Sequence, residues 1–75
     1  MTSTQQYRKI RALMMEHGVT NIQIANQEKV SEVYVTYVIT GRRTGYRIRR
    51  AIAKAIGTAV EVLWPDTPPE QRLAA

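Results

Sequence analysis

The sequence predicts an all-α domain folded as a compact five-helix bundle, and three observations carry that expectation. Apolar residues recur at helical spacing in successive stretches of the 75-residue chain. Residues suited to helix caps stand before most of those stretches, and glycine or proline stands after them. No stretch alternates as a strand does, and no segment repeats.

The first helix is expected over about residues 4–17, where Tyr7, Ile10, Leu13 and Met14 share a face and Gly18 stops the run. Met14, Met15 and Leu13 read as ordinary core and its edge. Thr20 and Gln23 then stand at capping-box spacing, each able to satisfy a free backbone donor of the other. They open a second helix, Asn21–Glu28, carrying Ile22, Ile24 and Ala25. Ser31 is a good N-cap for a third helix, Glu32–Thr40. There Val35, Val38 and Ile39 form one stripe, and Glu32, Val33, Thr36, Tyr37 and Thr40 lie opposite. The fourth helix, Tyr46–Ile56, places Ile48, Ala51, Ile52 and Ala55 on one side, with Gly57 as its left-handed stop. Thr58 and Glu61 repeat the capping-box spacing ahead of a short fifth helix, Val60–Leu63, which Pro65 ends. Residues 66–75 are polar and proline-rich with little to bury, so the reading is a folded domain over residues 1–65 and a flexible C-terminal tail.

The formal net charge is +5 and the pI about 10.1. The charge is local: residues 42–57 hold six basic and no acidic side chains, whereas the flanking segments are nearly balanced. Such a band favours a polyanionic partner. The chain has no cysteine, so disulfides and thiolate metal sites are excluded, and a lone His17 builds no zinc site. His17 reads as a surface residue compatible with a helix C-terminus. No apolar run approaches the roughly 20 residues of a membrane span, and the N-terminal residues do not resemble a signal peptide. A soluble, cytoplasmic protein is expected. No phosphate-binding glycine loop, paired carboxylate motif or nucleophile elbow is present, so neither an enzyme nor a cofactor, metal or small-molecule ligand is expected.

The ordered set Ile24, Ala25, Val30, Ser31, Val35, Val38, Gly41, Arg42 and Arg43 resembles the Cro/CI-type, or lambda-repressor-like (XRE-like), helix-turn-helix family. The resemblance covers roughly residues 7–64, and Ala53-Lys54-Ala55-Ile56-Gly57 is also similar to that family's fourth-helix ending. The Trp64-Pro65 ending is similar to the small Ner-type phage repressors. Two positions depart from the pattern, because Lys29 stands where the turn normally has glycine and Glu28 precedes it in place of an apolar residue. A lysine held at positive φ costs roughly 1 kcal/mol.

The resemblance implies binding to double-stranded DNA as a transcriptional regulator, a repressor of phage or mobile-element type, with two copies on a two-fold operator. It points to base readout by Ser31, Glu32, Val33, Thr36, Tyr37 and Thr40 on the third helix. The chemistry suits that role: Glu32 can accept from cytosine N4, and Val33 or the Thr36 methyl can pack on a thymine methyl. Phosphate contacts are expected from Asn21 and Gln23 at the start of the second helix, from Arg42, Arg43 and Thr44, and from Arg47 and Arg50. Arg47 is notable because a cation in the first turn of a helix opposes the macrodipole. Arg50 and Lys54 continue its row, for which a solvated basic face is the ordinary reading. Tyr34 and Tyr46 are ambiguous between core and backbone contact. Val62, Leu63 and Trp64 offer more apolar surface than a core this small should absorb, and are candidate dimer contacts. An antitoxin-like or other protein-binding module, using that last helix and the tail, is the alternative. A membrane-surface or single-strand RNA binder is disfavoured, since the fourth helix lacks a large aromatic or leucine face and a stacking platform.

Overall fold

A computed structural model describes residues 4–72. Among these, five helices form a compact all-α bundle without strands: α1 (Thr4–Glu16), α2 (Asn21–Glu28), α3 (Glu32–Thr40), α4 (Tyr46–Ile56) and α5 (Val60–Leu63). A 3-10 turn at Pro69–Gln71 follows. α1 packs against α3, α4 and α5, while α2 lies against α3 and α4. One core joins them, in which Ile10 and Met14 of α1 meet Ile24, Val35, Val38, Ile39, Ile48, Ile52, Leu63 and Trp64. Gln6 also donates a hydrogen bond to the Leu63 carbonyl, tying α1 to α5.

The helix ends follow from local chemistry. Thr20 Oγ1 accepts from Gln23 N at 3.1 Å and Gln23 Oε1 accepts from Thr20 N at 2.9 Å, so the capping box closes in both directions. Ser31 Oγ accepts from Tyr34 N at 3.1 Å and starts α3. Gly41 and Gly57, both at φ 87°, end α3 and α4. The second expected capping box does not form: Ala59 is the N-cap of α5 and no side chain caps it. Thr58 stands one residue too early for that geometry. Two apolar positions also differ from expectation, since Ile22 and Ala55 are exposed and Ala53 and Ile56 fill the inner side of α4 instead.

Between α2 and α3 the chain turns through Lys29, which adopts the left-handed conformation at φ 59° and ψ 45°. The residue expected to be glycine thus takes a glycine's shape. Its strain of roughly 1–2 kcal/mol is opposed from α4, where Arg47 Nη2 donates to the Glu28 carbonyl at 2.6 Å. Arg47 Nε also lies 3.1 Å from Glu28 Oε1. An exposed ion pair contributes at most about 1 kcal/mol, so the charged hydrogen bond to the carbonyl, typically about 1.5–3 kcal/mol, is the larger anchor.

The expected flexible tail is corrected over residues 66–72, which pack back onto α4. Arg49 is 3% exposed, stacked between the Tyr46 and Trp64 rings at 5.3 and 5.6 Å. Its Nη1 donates to Thr67 Oγ1 at 3.2 Å, and both Asp66 oxygens lie 3.5 Å from its terminal nitrogens. Thr67 is buried and donates in turn to the Trp64 carbonyl at 2.7 Å. Arg72 Nε donates to the Thr67 carbonyl, and Arg50 Nη1 donates to the Gln71 carbonyl and side chain. A buried guanidinium must find partners, and the segment after Pro65 supplies them. Residues 73–75 of the expected tail lie outside the described residues.

Two substitutions check these features. Lys29→Gly removes left-handed strain and should raise stability by about 0.5–1 kcal/mol, read as a higher Tm; an unchanged or lower Tm contradicts the strained turn. Asp66→Ala should destabilise by about 1–2 kcal/mol in urea denaturation, below the 3–5 kcal/mol of a fully buried pair because the Asp66 side chain is 62% exposed. Unaltered stability would show that Asp66 contributes nothing to holding Arg49.

Candidate nucleic-acid interface

The two sides of α3 differ sharply. Val35, Val38 and Ile39 are fully buried, whereas Ser31, Glu32 and Val33 are exposed and Thr36, Tyr37 and Thr40 half-buried. The division follows the sequence: the aliphatic positions recur at i, i+3 and i+4, and the residues between them face outward. Val33 is 58% exposed on the outward side.

The outward face is internally braced. Asn21 Nδ2 donates to Thr36 Oγ1 at 3.0 Å, reaching from the first position of α2 to the middle of α3. Thr36 Oγ1 donates to the Glu32 carbonyl at 3.2 Å. Thr40 Oγ1 donates to the Thr36 and Tyr37 carbonyls at 3.0 and 3.3 Å. The Arg42 guanidinium lies 5.6 Å from the Tyr37 ring centroid, within cation–π range. Ser31 Oγ is the α3 cap. The Glu32 carboxylate carries no hydrogen bond or ion pair among the described residues.

At the C-terminus of α3 the amides of Arg42 and Arg43 both donate to the Tyr37 carbonyl, at 2.9 and 3.2 Å. That bond and the left-handed Gly41 fix where the two exposed arginines leave the helix. Neither side chain has a carboxylate partner among the described residues. Thr44 follows, exposed, and Gly45 begins α4 with no side-chain cap. Arg42 thus lies beside the outward Tyr37, with Arg43 next to it in the chain and an uncapped helix start following.

Several candidate residues belong elsewhere. Arg47 is engaged with Glu28 and Arg50 with Gln71, so the row expected from Arg47, Arg50 and Lys54 is broken into fold contacts, leaving Lys54 exposed. Gln23 is occupied in the capping box and Asn21 in bracing Thr36. Leu63 and Trp64 are buried in the core, which corrects their assignment as dimer contacts; Val62, 50% exposed, is what remains of that surface. Tyr34 is half-buried against the core, and Tyr46 stacks on Arg49.

Sequence reasoning passed over Arg49. Its neighbours at i+4 and i+7, Ala53 and Ile56, are apolar, which marks its position as inward-facing. The Asn21–Thr36 contact joins residues fifteen apart and has no local signature. Among the described residues no helix is long and apolar enough to cross a membrane, and no group of three or more His, Cys, Asp or Glu side chains is placed to hold a metal ion. No family model, curated protein or solved structure matches the chain.

Proposed function

We propose that this chain is a lambda-repressor-like helix-turn-helix protein that binds double-stranded DNA sequence-specifically, with α2 and α3 as the motif and α3 as the recognition helix. The observation that carries the reading is the outward face of α3, exposed at Ser31, Glu32 and Val33, half-buried at Thr36, Tyr37 and Thr40, and adjoined by Arg42 and Arg43, two cations without carboxylate partners. An α-helix fits the major groove, where base edges present distinct donor and acceptor patterns. Ser31, Glu32, Val33, Thr36, Tyr37 and Thr40 then face the bases. Arg42, Arg43 and Thr44 contact phosphates, and Asn21 braces the reading face from the start of α2.

The nine residues of α3 extend about 13 Å at ~1.5 Å per residue, roughly four base-pair steps. So short a reading element favours two copies on a two-fold operator, with half-sites about one helical turn apart. Obstruction of polymerase by operator occupancy is the simplest regulatory mechanism for such a DNA-bound pair, and gives a repressor. The rival reading, a protein-binding module of antitoxin type, rested on the apolar last helix and the tail; Leu63 and Trp64 are buried, residues 66–72 pack on α4, and Val62 is the large apolar side chain of that helix left exposed.

Selection from random duplexes tests the function. Enrichment of a two-fold symmetric sequence is expected, whereas no enriched sequence, or a stoichiometric protein partner with only weak salt-sensitive DNA affinity, would overturn the reading. The phosphate assignment has its own check in the salt dependence of binding. Arg43→Ala should weaken binding to all sequences and lower the slope of log Kd against log salt by about 1. Arg50→Ala should leave that slope unchanged and lower thermal stability instead, because its guanidinium is held by Gln71. An unaltered slope in Arg43→Ala would remove Arg43 from the phosphate set.

A further inference from the structure

We infer that the outward face of α3 selects C5-methylated pyrimidines, thymine or 5-methylcytosine, with Thr36 as the methyl contact and Asn21 as the residue that positions it. The inference rests on the DNA-reading proposal and specifies what that face reads. Its basis is the fate of the hydroxyls. Thr36 Oγ1 donates its one proton to the Glu32 carbonyl and accepts from Asn21 Nδ2. Both bonds fix χ1, since a threonine side chain in a helix turns according to where its hydroxyl bonds. With the hydroxyl engaged both as donor and as acceptor, Cγ2 is the remaining substituent at Cβ, and the inference assigns it to the ligand.

The neighbours are apolar in the same way. Val33 lies three residues before Thr36 and four before Tyr37, so its exposed isopropyl group adjoins both on the helix surface. Tyr37 is held by the Arg42 guanidinium stacked on its ring. Thr40 has given its hydroxyl proton to the Thr36 and Tyr37 carbonyls. The middle of the face is therefore a methyl, an isopropyl and a ring, bordered by the Tyr37 hydroxyl and the Arg42 guanidinium. In the major groove the base-edge feature that suits such a surface is the C5 methyl of thymine, which 5-methylcytosine also carries. At the N-terminal end stands the unengaged Glu32 carboxylate. It accepts from the N4 amino group of cytosine or 5-methylcytosine and repels the base-edge acceptors of guanine.

The test uses the full chain and a duplex obtained by random selection, with Kd measured by fluorescence anisotropy at fixed salt. Replacing each thymine in turn by deoxyuridine removes only a methyl group. At one or two positions per half-site the affinity should fall about fourfold, equivalent to the ~0.8 kcal/mol of one apolar carbon withdrawn from contact. At those positions a cytosine–guanine pair should bind about fourfold more tightly when the cytosine is 5-methylated. Thr36→Ser keeps both hydrogen bonds and loses the methyl, so it should abolish the thymine-to-uracil ratio. Thr36→Val keeps a methyl and sets χ1 by its own branching, so it should preserve the ratio. Asn21→Ala leaves the Thr36 side chain without the bond that positions it and should lower the ratio; an unchanged ratio in Asn21→Ala overturns the positioning role. Selective binding in which no deoxyuridine alters Kd overturns the methyl reading and leaves DNA binding intact. A ratio that survives Thr36→Ser overturns the role of Thr36. Failure to enrich any duplex removes the DNA-reading proposal itself and this inference with it.

Discussion

The close approach of Gly45 to α3 sets the rest of the structure. A Cβ at that position would lie 2.5 Å from Val38 Cγ2 and 3.1 Å from the Tyr34 hydroxyl, and the backbone there has φ +37°. Only glycine satisfies both demands without displacing buried atoms. Because α4 begins this close beneath α3, Ile48 and Ile52 reach the same core as Val35, Val38 and Ile39. The short link from Gly41 to Gly45 must then lie at the surface, which leaves Arg42, Arg43 and Thr44 exposed. The same placement brings Arg47 to the end of α2, where it holds the carbonyl before the strained Lys29. One tight contact therefore orients α3, exposes its cations and secures the turn that leads into it.

The basic band divides by task. Arg47, Arg49 and Arg50 each bind another part of the same chain: the α2 terminus, Asp66 with Thr67, and Gln71. Arg42, Arg43 and Lys54 remain exposed without such partners. The net charge of the segment thus overstates the charge available to a polyanion. The exposed pair beside α3 is narrow, and the proposed groove-binding role relies on it for the cations that flank the outward face.

Much of the fold was legible in the sequence because its signals are local. The bounds of α2, α3 and α4 follow from Thr20 with Gln23, from Ser31, and from the glycines at positions 41 and 57, each acting within one turn of the backbone. The C-terminal segment was not legible, for the opposite reason. Its prolines and polar residues resemble a solvated tail, and it is ordered by a buried arginine seventeen residues earlier. The buried face of α3 was evident from spacing, as was the outward set opposite it. The brace from Asn21 to Thr36 was not, since a side-chain bond between helices depends on the packing that brings them together.

The central claim is that DNA is bound through the outward face of α3 and the arginines that follow it, while the C-terminal strap serves only the fold. Backbone amide NMR shifts during titration with a short duplex test it most directly. The largest changes are expected from Ser31 to Thr44 and at Asn21, with residues 66–72 unaffected. Changes centred on α4 and the strap, with α3 silent, would contradict it.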